Sequence, residues 1–193
     1  MVHINAGVSA LVMAIFLGKR KGWNTGDGAP IPPHNVPFVV MGTALLWLGW
    51  LGFNGGSGLA ADGLSSRAIL VTNISAAAAA LTWAFLDWTI NKKPTVIGFC
   101  TGVVAGLVAI TPAAGSTGVL GAFVIGLVAS LICFFMVAHV KPKFDYDDSL
   151  DAFGVHGVGG IVGSILIGFF ATRAITGDEG AQGALYGDWN QLW

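Results

Sequence analysis

The sequence has little charge, little cysteine and few clustered basic residues. Only 10% of its 193 residues are charged and 54% are hydrophobic. Because soluble domains carry about 25% charged residues, this composition excludes an ordinary soluble domain and indicates a membrane protein. The net charge of −1 and the lack of a basic run beyond Lys19-Arg20-Lys21 argue against a nucleic-acid partner. Cys100 and Cys133 lie inside apolar stretches, so we expect packing residues rather than a disulfide or a metal site.

The sequence pattern also lacks a signal peptide. The first apolar stretch carries His3 and Asn5 near its start, and neither a basic n-region nor a cleavage motif is visible. The chain begins at once with what has the pattern of a helix interior. We therefore expect a fragment of a longer protein.

Long apolar segments separated by charge, glycine and proline organise the chain. The last of them, 152–171, contains no charged residue and is long enough to cross a bilayer. The pattern predicts an all-α membrane protein with six transmembrane helices in one domain, 1–193, and a polar tail without a span at 173–193. The six segments cover about 2–18, 36–54, 66–90, 95–111, 117–140 and 152–171.

The basic residues give an independent test of this topology. Seven of the nine lysines and arginines fall in alternate connections, at 19–21, at 92–93 and at 141 and 143. Cytoplasmic loops of membrane proteins are enriched in lysine and arginine. We therefore expect these three connections to be cytoplasmic and both ends of the chain to lie outside the cell membrane.

Two histidines lie inside uncharged spans, His3 in the first and His156 in the sixth. An ionisable residue at membrane depth is a functional hypothesis by default, although a neutral histidine that bonds a neighbouring helix is an alternative. Glycines at 157, 159, 160 and 163 remove bulk beside His156 and permit close approach of another helix. Since the two spans are antiparallel, we expect the rings to face each other across one apolar passage, within hydrogen-bonding reach.

Aromatic and acidic residues are the other polar or unusual features of the spans. Trp50 and Phe53 are three residues apart on one helix face, which is typical either of an interfacial belt or of an aromatic plug and cation-binding lip above the histidines. Asp87, near the end of its span, is expected to be solvated. Asp151 is expected to cap the His156 helix or to stabilise its N-terminus.

Four ordered stretches resemble one known family, the ammonium transporter, methylammonium permease and Rhesus channels. This resemblance implies an eleven-helix fold of two inverted repeats, of which the chain would cover about the fifth to the tenth span, and a homotrimer in which each subunit has its own pore. The stretches are 2–7, 48–57, 106–112 and 147–163.

The resemblance also implies roles for individual residues. His3 and His156 resemble the paired pore histidines, and Phe53 resembles one of the phenylalanines that close the outer pore. Ser57 is similar to the serine that recruits ammonium at the outer vestibule, to which we also assign Trp50. The family further carries acidic residues before its second pore helix, at the positions of Asp148 and Asp151.

The implied function is transport of ammonium or ammonia through a hydrophobic pore in the lipid bilayer, with no enzymatic activity and no cofactor. An ammonium sensor of the same fold is one alternative, since a signalling domain would lie outside this chain. A membrane protein that binds haem between two histidines is another alternative from a different class.

Overall fold

The computed structural model describes residues 1–23, 31–177 and 179–192, and these residues form helices and no strand. Long helices follow one another along the chain, and two of them adjoin a short π-helical turn. We call Met136–Val140 the first π-turn and Phe153–Gly157 the second π-turn. The α-helices are α1 (Val2–Leu17), α2 (Val36–Gly56), α3 (Gly63–Asn91), α4 (Val96–Ile110), α5 (Val119–Phe135), α6 (Lys141–Phe144), α7 (Val158–Phe170) and α8 (Arg173–Thr176).

Apolar helices lie at all six predicted positions. Four continuous helical segments of the described chain are long and apolar enough to cross a membrane: Val36–Gly56, Gly63–Asn91, Val119–Phe144 and Phe153–Phe170. The helices α1 and α4 are apolar but shorter, with 16 and 15 residues. The predicted all-α membrane fold is confirmed.

Small residues allow α3 to lie at the centre of the helix packing, against α4 and α5. Ala76, Ala79 and Ala80 are buried completely. A Cβ atom at Gly106 of α4 would come within 2.5 Å of the Ser75 carbonyl oxygen, and one at Gly126 of α5 within 2.3 Å. Because both contacts are with backbone, these positions require glycine, and the three helices pack at backbone distance.

Asp87 is buried by this packing, although it lies near the end of its helix. Its carboxylate is buried, with 4% of the residue exposed. It accepts hydrogen bonds from the Thr95 hydroxyl (2.6 Å), the Thr95 backbone N–H (3.3 Å) and the Asn91 amide (3.1 Å). The expectation that Asp87 is solvated was wrong, because the α3–α4 connection brings Thr95 back over the end of α3, where it supplies two donors, and Asn91 of α3 supplies the third.

In the segment after α7, the described residues form short helices only. It includes α8 and two short 3₁₀ helices, Ala184–Tyr186 and Trp189–Leu192. The backbone N–H of Gly183 donates to the Ala171 carbonyl (2.8 Å), so this segment returns to the end of α7. Residues 178 and 193 of the predicted tail, and 24–30 of the first connection, lie outside the described residues.

Candidate functional site

Close contact between α1 and the second π-turn brings the two histidines together. A Cβ at Gly7 would lie 2.2 Å from the backbone nitrogen of Gly157. One turn further along, a Cβ at Gly160 would lie 3.0 Å from the Ile4 side chain and 3.4 Å from Cβ of His3. Glycine on both sides therefore lets the two backbones touch, as the glycine-rich sequence around His156 predicted.

Four rings from three parts of the chain form one cluster, which we call the ring cluster: His3, Trp50, Phe53 and His156. The ring centroids of His3 and His156 lie 5.9 Å apart, with an interplanar angle of 45°. The Trp50 ring stacks on His3 at 4.9 Å and lies 6.4 Å from His156, whereas Phe53 lies 6.0 Å from His3. The predicted proximity of the histidines is confirmed, and the aromatic face of α2 covers them.

The predicted direct hydrogen bond between the imidazoles is not formed. Among the described residues, Nε2 of His3 is buried and has no hydrogen-bond partner. The rings are tilted by 45° to one another, and the His3 ring stacks on Trp50. An unpaired buried nitrogen costs free energy, so Nε2 is a ready partner for a small polar molecule.

A residue that the sequence interpretation missed holds Trp50 in place. The indole Nε1–H donates to Oγ1 of Thr111 (2.8 Å), and the Thr111 hydroxyl donates to the Leu107 carbonyl (2.8 Å). This chain of bonds ties the indole to the end of α4. The sequence signal was a hydroxyl at the end of an apolar helix, just before Pro112, which by itself does not reveal its partner.

Phe53 lies between two cavities. One, of about 610 Å³, is lined mainly by α2 and includes His3, Trp50 and Phe53. The other, of about 250 Å³, includes Phe53, Ser57 and Thr111. The Ser57 hydroxyl donates to the Phe53 carbonyl (2.6 Å). Thus Ser57 lies on the side of Phe53 away from the histidines, whereas Trp50 lies with the histidines rather than in the cavity beside Ser57.

The two acidic residues before the second π-turn have different contacts. Asp148 is buried, and its carboxylate accepts from the backbone N–H of Phe153 (2.7 Å). The Asp151 carboxylate instead pairs with Nζ of Lys141 (2.6 Å). Burial raises the pKa of Asp151, and the hydrogen bond from Lys141 acts in the opposite direction. The side-chain cap that we expected from Asp151 is therefore provided by Asp148.

The first connection and the residues after α6 are joined by ion pairs that the sequence did not predict. The Arg20 guanidinium donates to both carboxylate oxygens of Asp147 (2.7 and 2.6 Å), and its backbone N–H donates as well (2.8 Å). Lys19 pairs with Asp145. The hydrogen bonds from Arg20 lower the pKa of Asp147 below its ordinary value. These contacts connect the end of α1 to the loop that leads into the second π-turn.

This fold and site define a multi-pass α-helical membrane protein with two adjacent histidines in its helix packing. A family model for the Ammonium Transporter Family matches residues 1–193. The chain is 48% identical over 193 residues to an ammonium transporter of Bacillus subtilis and 49% identical over 192 residues to one of Aquifex aeolicus. The chain belongs to the ammonium transporter family.

Solved structures agree with this assignment. The chain resembles Mep2 of Candida albicans with a TM-score of 0.91 and 40% identity over 99% of its length. It resembles a protein described as a sensor Amt protein with a TM-score of 0.84 and 34% identity over 90% of its length. The chain spans less than half the length of the curated relatives it matches, with 46% of the Bacillus subtilis protein and 43% of the Aquifex aeolicus protein.

Proposed function

We propose that this chain supplies part of the wall of an ammonium pore, with His3 and His156 as the residues that conduct the substrate. The ring cluster is the observation that carries this proposal, because it places the rings of Trp50, Phe53 and His156 within 6.0 Å of the His3 ring among apolar helices. Membership of the ammonium transporter family supports ammonium or ammonia as the substrate.

The chemistry of the cluster suits a neutral molecule. An apolar passage strongly disfavours any bare ion, since removing a charge from water costs several kcal/mol or more. Ammonium differs from a metal cation in that it loses a proton and crosses as ammonia. The unpaired Nε2 of His3 offers this molecule a hydrogen bond at the point where water is excluded. The paired imidazoles also provide groups that accept and release a proton.

The experiment uses a chimaera in which residues 1–193 replace the matching segment of the Bacillus subtilis ammonium transporter, which is 48% identical to them. It is expressed in a host without ammonium transporters of its own, and uptake of labelled methylammonium is measured at several concentrations. Uptake well above that of the empty host is the expected result. A folded chimaera without uptake would contradict the transport function and favour the sensor alternative.

Phe53 is proposed as the outer gate, because it separates the cavity beside His3 from the cavity beside Ser57. In the chimaera, Phe53→Ala is expected to change the rate of methylammonium uptake by several-fold, since it joins the two cavities and admits water beside the histidines. Phe38→Ala is the matched control, because Phe38 lies at the other end of α2 and is 65% exposed. Equal uptake by both variants would show that the aromatic face of α2 is only an interfacial belt.

Two alternatives remain relevant to this site. Structural similarity to a sensor Amt protein supports an ammonium sensor that binds its ligand at the same cluster. Haem binding is disfavoured, since Trp50 stacks on His3 at 4.9 Å and fills the space beside the imidazoles that a flat macrocycle needs. Among the described residues, no group of three histidine, cysteine or acidic side chains is arranged to hold a metal ion.

We further propose that the three basic connections face the cytoplasm and that Ser57 and both chain ends face outward. The alternating positions of lysine and arginine support this orientation. A single cysteine at Ala61 should react with a membrane-impermeant maleimide in whole cells, whereas one at Lys93 should react only after the membrane is opened; both positions are exposed. The reverse pattern would overturn the orientation.

The homotrimer implied by the family is tested by chemical cross-linking, where monomers alone would count against it.

A further inference from the structure

The ammonium group of Lys141, the first residue of α6, is enclosed on three sides. Its Nζ donates to the carbonyl oxygen of Asp148 (2.6 Å) and to Oδ1 of Asp151 (2.6 Å). It also lies 5.6 Å from the centroid of the Trp23 ring. Only 15% of the side chain is exposed. Hydrogen bonds from a charged donor are stronger than neutral ones, so these contacts hold the acidic residues firmly.

The residues that Lys141 holds are those from which the second π-turn begins. The Asp148 carboxylate accepts from the Phe153 backbone N–H (2.7 Å), and the Asp151 carbonyl accepts from the Val155 N–H (2.9 Å). Asp151 also has a φ of 54°, in the left-handed region that non-glycine residues rarely adopt. Lys141 thus binds both ends of the segment 148–151, whose left-handed residue is energetically unfavourable, and keeps this segment in place.

The orientation of His156 depends on where this turn begins. A π-turn contains one residue more than the α-helical turn it replaces, and each residue of an α-helix rotates the chain by about 100°. A change from the π to the α conformation would therefore swing the His156 ring away from the His3 ring, which now lies 5.9 Å from it. The first π-turn ends directly before Lys141, so the lysine connects the two irregular turns.

We infer that Lys141 is a positioning residue whose ammonium group fixes the start of the second π-turn and thereby directs His156 toward His3. This inference rests on the proposed function of the two histidines. Lys141 acts through Asp148 and Asp151, not through contact with the substrate. The simpler alternative is that Lys141 only neutralises the carboxylate of Asp151.

The test uses the same chimaera, with uptake divided by the amount of folded protein. Lys141→Met is expected to lower the maximal rate of methylammonium uptake about tenfold, as expected for a misplaced functional group. Lys141→Arg, which keeps the charge and the donors, should restore much of the rate. Lys143→Met is the matched control and should leave the rate unchanged, because Lys143 is exposed.

Two double variants separate positioning from charge neutralisation. Lys141→Met combined with Asp151→Asn leaves no unpaired carboxylate, and asparagine tolerates the left-handed conformation. Folding should be retained while uptake stays low. Full recovery of uptake would show that Lys141 only neutralises Asp151, and would overturn the inference. Lys141→Met added to His156→Ala should cause no further loss, whereas an equal further loss would also overturn it.

The single variants distinguish failure of this inference from failure of the proposed function. If His156→Ala lowers uptake but Lys141→Met does not, the inference fails and the proposed function stands. If His156→Ala leaves uptake unchanged, the proposed role of the histidines fails first. If His156→Ala reduces uptake to the level of the empty host, the Asp151 double variant decides.

Discussion

Replacing His156 with alanine is expected to lower methylammonium uptake by the chimaera about 5- to 150-fold, while the amount of folded protein changes little. The estimate follows from the loss of one hydrogen-bond partner in a dry site, which costs about 1–3 kcal/mol. His3→Ala should have an effect of similar size, because Nε2 of His3 is a buried nitrogen of the ring cluster without a partner in the described structure. Uptake kinetics with and without competing potassium measure both rate and selectivity.

The control for this prediction is His139→Ala. His139 lies in the first π-turn and is exposed, with its ring 5.2 Å from Phe135. The variant His139→Ala should therefore leave uptake unchanged. The double variant of His3 and His156 should lose less than the product of the two single losses, since the rings are 5.9 Å apart and act on the same molecule. Unaltered uptake and selectivity in both single variants would refute the histidine-lined pore.

Gly7→Ala is expected to have the second largest effect, on both stability and transport. The new Cβ would lie 2.2 Å from the nitrogen and 2.4 Å from Cα of Gly157, so α1 must move away from the second π-turn. Overpacking of this kind costs about 1–3 kcal/mol, and the displacement also separates His3 from His156. We expect a lower Tm of the purified chimaera and uptake reduced about tenfold or more, as for other misplaced functional groups.

Gly63→Ala provides the comparison for Gly7→Ala. Gly63 is the first residue of α3, and a Cβ there would meet no atom within 4 Å. Alanine also favours the helix over glycine, so the Tm should be unchanged or slightly higher. Gly7→Val should be worse than Gly7→Ala, because it adds bulk at the same contact. If the Gly7→Ala variant has the same Tm and the same uptake as the parent chimaera, the close contact between the two backbones is disproved.

The sequence by itself determined the six apolar helices, because uncharged runs of this length have to be buried in a bilayer or in packed helices. It also determined the pairing of His3 with His156. Both are ionisable residues in apolar spans, and glycines next to each of them remove the bulk that would keep two helices apart. These features depend on the local composition and periodicity of the chain.

Only the tertiary structure decided which groups meet around those histidines. Thr111 bonds Trp50 from the end of another helix, and Lys141 bonds Asp151 across ten residues. The sequence could place each residue on a helix but could not supply its rotation about the helix axis. The second π-turn changes that rotation around His156. Asp148 rather than Asp151 accepts from the first N–H of the turn, and the imidazoles meet without a hydrogen bond. Burial of Asp87 has the same cause, since two of its three donors come from Thr95, which a connection whose path is set by packing brings to it.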